Sequence, residues 1–182
     1  MSITPREFLE RLQERLGGTI GLENAVEQLR GQEGGVAPHL YGTFDGLPGK
    51  IDFTLPEELL FEVFLPPPTV LLVRPRSWLD RVLGAVGLCP TIPTGQADLD
   101  DRFVVQNIPA DQVGRLLTPA FVKLVLALGG FSQFEMTFRA YRLRKEIDIT
   151  GDYTLDRAAA DLRALQAVAR FGEALSIGSA NT

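Results

Sequence analysis

Gln133-Phe134-Glu135-Met136-Thr137-Phe138-Arg139-Ala140-Tyr141-Arg142-Leu143-Arg144-Lys145-Glu146-Ile147 is the segment from which the fold can be read. Phe134, Met136 and Phe138 alternate with Gln133, Glu135 and Thr137. After a turn near Arg139-Ala140, Tyr141, Leu143, Ile147 and Ile149 resume the pattern. A period of two puts alternate side chains on opposite faces of a strand, so the segment predicts an antiparallel hairpin with one apolar and one polar face. Thr154 then caps a helix to about Leu175. Its stripe of Leu155, Ala158, Ala159, Leu162, Leu165 and Ala169 packs inward, and Arg157, Asp161, Arg163 and Gln166 lean outward. Ser176 to Thr182 read as a frayed tail.

Working outward, Tyr41 to Phe44 and Lys50 to Leu55 flank Asp45-Gly46-Leu47-Pro48-Gly49 as a second hairpin. Leu59 to Leu65 and Thr69 to Val73 are apolar on both faces and predict central strands, joined by the extended Pro66-Pro67-Pro68. Arg102 to Gln106 predicts a further strand. Thr4 and Pro5 start a helix that runs to Leu16, with Glu7 completing a capping box and Gly17-Gly18 ending it. Leu22 to Leu29 reads as a second short helix, followed by a flexible connection from Gly31 to Pro38. Ser77 caps a helix through Leu83 or Val86, with Trp78, Leu79, Val82 and Leu83 turned inward. Asp111 to Leu117 and Pro119 to Leu128 are two helices separated at Thr118-Pro119.

These elements make an α+β fold. A single globular domain over residues 1–182 carries a mainly antiparallel sheet of roughly six or seven strands, with helices on one face and a long C-terminal helix. Within it, residues 1–38 form a helical segment and connection, 39–175 the α+β core and 176–182 the tail. The chain of 182 residues is 45% hydrophobic and 23% charged, within the range of chains that bury a core. A net charge of −5 disfavours general nucleic-acid binding, which needs a Lys and Arg excess. Cys89 is the one cysteine and His39 the one histidine, which excludes an intrachain disulfide and Cys/His zinc sites within a single chain. No secretory leader or membrane span is read, so a cytoplasmic location is expected.

Chemistry concentrates in the loop from Leu88 to Val105. Asp98, Asp100 and Asp101 offer oxygen ligands to Mg²⁺ or Ca²⁺, although their spacing is not that of an EF-hand. Asp also bonds backbone amides in such loops, and Asp100 or Asp101 paired with Arg102 or with an arginine of the closing hairpin would pin the turn. His39 offers a general base if a carboxylate orients it, but no nucleophile accompanies it, and the plainer role is a polar residue where the strand begins. Cys89 has nothing adjacent to lower its thiol pKa and reads as a small packing residue. Gly42-Thr43-Phe44-Asp45-Gly46 and Thr94-Gly95 lack the Gly-x-x-x-x-Gly-Lys-Ser/Thr arrangement of a phosphate loop, so no cofactor is expected. Arg139, Arg142, Arg144 and Lys145 form a basic cluster available to an acidic partner or RNA, and more simply a solvated, edge-protecting face.

Tyr41-Gly42-Thr43-Phe44-Asp45-Gly46, Leu83-Gly84 to Gly87-Leu88, Thr94-Gly95-Gln96-Ala97-Asp98-Leu99-Asp100-Asp101-Arg102-Phe103-Val104-Val105 and Leu116-Leu117-Thr118 follow in that order. The arrangement resembles a group of uncharacterised bacterial domains, in which a Thr-Gly-Asp loop precedes Phe-Asp and a Phe-x-Val strand. Gln96 stands here where that group has Asp, and Leu99 where it has Phe. The resemblance covers Leu40 to Leu117 and implies no activity. Some members carry membrane segments ahead of the domain; none is read in this sequence.

The framework without a catalytic pair points to a non-enzymatic bacterial binding or regulatory domain, with a protein partner or a homodimer. A small acidic homodimeric chaperone of the secretion type is the second reading. A metal-assisted hydrolase using Asp98, Asp100 and Asp101 is the third.

Overall fold

The computed structural model describes residues 3–23, 37–55, 57–85, 91–149 and 152–179. In chain order the elements are α1 (Pro5–Leu16), β1 (Thr19–Glu23), β2 (Ala37–Phe44), β3 (Leu47–Leu55), β4 (Glu58–Val63), β5 (Leu71–Pro75) and α2 (Trp78–Ala85). There follow α3 (Ala97–Asp100), β6 (Phe103–Gln106), α4 (Ala110–Leu116), α5 (Pro119–Ala127), β7 (Gln133–Met136), β8 (Tyr141–Glu146) and α6 (Leu155–Ser179). The strands form one sheet in the order β1-β2-β3-β4-β8-β7-β5-β6. Every neighbouring pair is antiparallel.

The α+β architecture with a long C-terminal helix is as expected, but the sheet has eight strands. The additional one is β1, where Thr19–Glu23 pairs with Ala37–Tyr41 and takes Leu22 and Glu23 out of the short helix read there. Residues 24–36, and with them the rest of that helix and most of the connection, lie outside the described residues, as does Cys89. Gly21 stands opposite His39, whose Nε2 lies 2.5 Å from where a Cβ on Gly21 would be. The bare glycine lets the imidazole lie across the neighbouring strand.

The β7–β8 hairpin pairs Phe134 with Leu143 and Met136 with Tyr141, and the Thr137 amide closes its turn on the Ala140 carbonyl at 2.9 Å. Phe138 is therefore at the turn, 86% exposed, and does not continue the apolar face of the strand. The hairpin inserts between β4 and β5, with Phe61 opposite Leu143 on one side and Val73 opposite Phe134 on the other. The strands joined by Pro66-Pro67-Pro68 are thus separated by two strands from the far end of the chain.

One sheet face is covered by helices. Leu40, Ile51, Phe61, Leu143, Phe134 and Val73 are buried there with Leu9 and Leu12 of α1, Phe121 and Val125 of α5, and Leu162 and Leu165 of α6. Thr4 caps α1 with a complete capping box, and Thr118 caps α5 by accepting from the Phe121 amide at 3.3 Å. The β2–β3 turn has two residues rather than five, with Asp45 at φ 48° and Gly46 at φ 82°, the left-handed pair that matches strand twist. From α6, Gln166 donates to the Phe44 carbonyl and Arg170 to the Asp45 carbonyl, fastening that turn to the helix. Gln166 and Asp161 are buried, correcting their expected outward position, and α6 continues to Ser179 through the start of the expected tail.

Candidate functional site: an inverted helix beside paired arginines

The acidic loop is organised by one of its three carboxylates. Asp100 accepts from the Thr94 hydroxyl at 2.9 Å and from the Thr94 and Gly95 amides at 3.1 Å each. Leu99 anchors the turn in the core, and the Ile92 amide donates to the Val105 carbonyl at 2.9 Å. Asp98 and Asp101 are exposed. Among the described residues no group of three His, Cys, Asp or Glu is arranged to hold a metal ion. The expected pairing of Asp100 or Asp101 with Arg102 is absent among the described ion pairs; the Arg102 guanidinium lies 5.4 Å from the centre of the Phe103 ring.

His39 lies within β2, buried, with its Nδ1 unpartnered and its ring 5.6 Å from that of Tyr41. The basic cluster is divided by strand alternation. Arg142 pairs with Glu62 at 2.7 Å and Arg144 with Glu58 at 3.0 Å on the face away from the helices, while Arg139 is exposed at the turn. Lys145 points the other way, into the core. Its Nζ donates to Asp161 Oδ1 at 2.6 Å and to the Leu128 carbonyl at 2.7 Å, and Tyr153 donates to Asp161 Oδ2 at 2.7 Å. Burial lowers the Lys145 pKa against the opposing pull of Asp161, and burial first, then Asp161, raises that of Tyr153. Lys145 and Tyr153 line a cleft of about 460 Å³ with Arg157, Asp148 and Asp152.

Helix α2 is mounted opposite to expectation. Of the four residues expected inward, Trp78, Leu79 and Val82 are 74%, 48% and 53% exposed and Leu83 is half-buried, whereas Asp80 is 7% exposed. Asp80 receives both Arg74 guanidinium nitrogens at 2.7 Å, the Ser77 hydroxyl at 2.7 Å and the Ser77 amide at 2.8 Å. Arg74, then Ser77, hold its carboxyl well below the usual carboxylate range. The bidentate pair expected in the acidic loop thus occurs here, joining α2 to β5. Ser77 and Asp80 form a capping box, and the bonds of Asp80 to Arg74 on β5 turn that side of the helix to the sheet, so that the apolar side chains one residue before and two after it turn to solvent. The Ser-x-x-Asp spacing signals the cap, and the orientation depends on Arg74 of β5. Apolar periodicity alone names a stripe but not the side it faces.

Arg76 and Arg102 flank this helix. Pro75 is registered with Phe103, and one step beyond, the Arg76 amide donates to the Arg102 carbonyl at 2.9 Å. Arg76 Nη2 reaches the Phe103 carbonyl at 3.5 Å, and its Nε is buried without an acceptor.

No protein-family model matches the chain, and no curated protein sequence matches it. Among solved structures, the chain is similar to the crystal structure of the mycobacterial trehalose monomycolate transport factor A, TtfA. Identity is 11% and the TM-score 0.60, over 91% of this chain and 92% of that one. The two share the fold: one antiparallel sheet, helices and a long C-terminal helix in a single domain.

Proposed function

We propose that this chain is a non-enzymatic binding module that docks a protein partner on the outward apolar face of α2. The observation that carries the reading is the inversion of that helix: its acid faces in and its Trp78, Leu79 and Val82 face out. A helix normally buries its apolar stripe, and a contiguous exposed one marks an interaction surface. Trp is among the residue types most enriched at binding hot spots. The protein that shares the fold is a transport factor, which supports an accessory role over a catalytic one. The attachment of Asp100 to Thr94 and Gly95 supports an architectural role for the acidic loop.

A photoreactive amino acid placed at Val82, with a matched one at Arg142 on the open sheet face, tests this in cells. A discrete adduct formed from position 82 and missing from position 142 is the expected result. Equal, diffuse labelling from both positions contradicts it, and an adduct of twice the chain's mass assigns the face to a second copy instead.

A further inference from the structure

The pairing of Arg76 with Arg102 requires an explanation that the fold does not supply. They stand one residue beyond the end of the β5–β6 ladder, where the Arg76 amide donates to the Arg102 carbonyl at 2.9 Å, so two like charges are carried on adjoining backbone. The arginines within the strands are matched: Arg74 with Asp80 at 2.7 Å, Arg142 with Glu62 at 2.7 Å and Arg144 with Glu58 at 3.0 Å. Arg76 and Arg102 have no carboxylate among the described residues. The buried Arg76 Nε is left as a donor without an acceptor. Two forks without a carboxylate, beside an exposed Trp78, are the complement of a carboxylate attached to something apolar.

We infer that Arg76 and Arg102 together receive a carboxylate from an acidic amphipathic protein segment, whose apolar side chains cover Trp78, Leu79 and Val82. The inference rests on the docking role of α2 and adds the chemistry of the partner. A free oxyanion would leave the apolar face unexplained. An anionic bilayer presents negative charge over a whole plane and would meet the exposed Asp98 and Asp101 and a chain of net charge −5, whereas a segment with a single carboxylate needs to meet only the two arginines. A single Glu or Asp on a helix satisfies both arginines and leaves its neighbours free to pack.

Trp78 is the one tryptophan, so its emission reports on the patch without a label. The full chain is titrated with a Trp-free amphipathic peptide of Leu, Ala and Glu, and with the same peptide carrying Gln for Glu. A saturable blue shift with the acidic peptide, salt-sensitive and weakened about tenfold or more in Arg76→Gln and Arg102→Gln, is the expected result. If both peptides bind equally, the arginine receptor is overturned and the α2 docking face stands. If neither shifts the emission, both fall. Displacement of the peptide by millimolar inorganic phosphate, or a shift with phosphatidylglycerol vesicles but neither peptide, overturns the inference in favour of a free oxyanion or a membrane. Thermal unfolding of Arg76→Gln is the folding control: an unchanged or raised Tm is expected, and a lowered one makes Arg76 a structural residue and refutes the assignment.

Discussion

Tyr141 places a hydroxyl where nothing receives it. Its Oη is buried without a partner beneath α6, and a Cβ added at Gly172 would lie 2.0 Å from it. Tyr141→Phe is expected to raise stability by about 1 kcal/mol, since it removes a desolvated group that makes no bond. Gly172→Ala gains helix propensity but overpacks this contact, so it is expected to lower stability by about 1–3 kcal/mol in the natural chain and by less beside Tyr141→Phe. Burial, and to a lesser degree Glu173, raise the Tyr141 pKa. A raised folded-state pKa means stability present below the ordinary tyrosine value near ~10 and lost as pH climbs past it. Alkaline melts should show this loss, and show less of it in Tyr141→Phe. Lys145 and Asp161 are the opposite case, two buried charges that satisfy each other. Lys145→Met alone is expected to cost about 3–5 kcal/mol in denaturant titrations by stranding Asp161, and Lys145→Met with Asp161→Leu much less.

At the scale of elements, α2 distinguishes a docking face from a core helix. Trp78→Ala is expected to change the unfolding free energy by about 0.5 kcal/mol or less, against about 3–5 kcal/mol for a Trp in a core. Asp80→Asn is expected to loosen the helix, seen as altered Trp78 emission, because it removes the acceptor shared by Arg74 and Ser77. The Asp80 pKa is depressed mainly by Arg74, so its contribution is complete above the unfolded carboxylate value near ~3.9 and is lost as pH falls below it. Acid titration of Trp78 emission should therefore show a transition that Asp80→Asn lacks. The same element shows what sequence reading could and could not reach. Its position and its Ser77 cap were legible because capping is a local bond. Its orientation was not, because Arg74 on β5 decides it. The β7–β8 hairpin was legible from alternation alone, whereas β1 depends on pairing with β2 across residues 24–36, and five residues containing Gly21 carry little intrinsic strand signal. Lys145 and Asp161 were read as surface charges because a single sequence does not show that two charges meet in the core. Asp100 was legible as a candidate site, and its attachment to Thr94 is the local bonding that Asp in a turn favours.

For the whole molecule, the decisive feature is that β8 and β7 occupy the gap between β4 and β5. Four antiparallel strands on one side and two on the other become one sheet only when the hairpin is in place. A fragment ending at Gly130 is expected to sediment as aggregate, because it leaves the inner edges of β4 and β5 open on apolar strands. Adding a peptide of residues 131–182 should restore it, as judged by sedimentation velocity. A soluble, cooperatively folding fragment would contradict this account of the sheet.

That insertion also sets a schedule. On the ribosome, β4 and β5 emerge well before the residues that will lie between them, and at roughly 5–20 residues per second the interval lasts several seconds. For that time the nascent chain carries two unzipped borders and cannot finish its central layer. A trigger-factor-type holdase acting on the growing polypeptide would find its longest opportunity there, and rare codons between residues 76 and 146 would lengthen the exposure rather than assist folding.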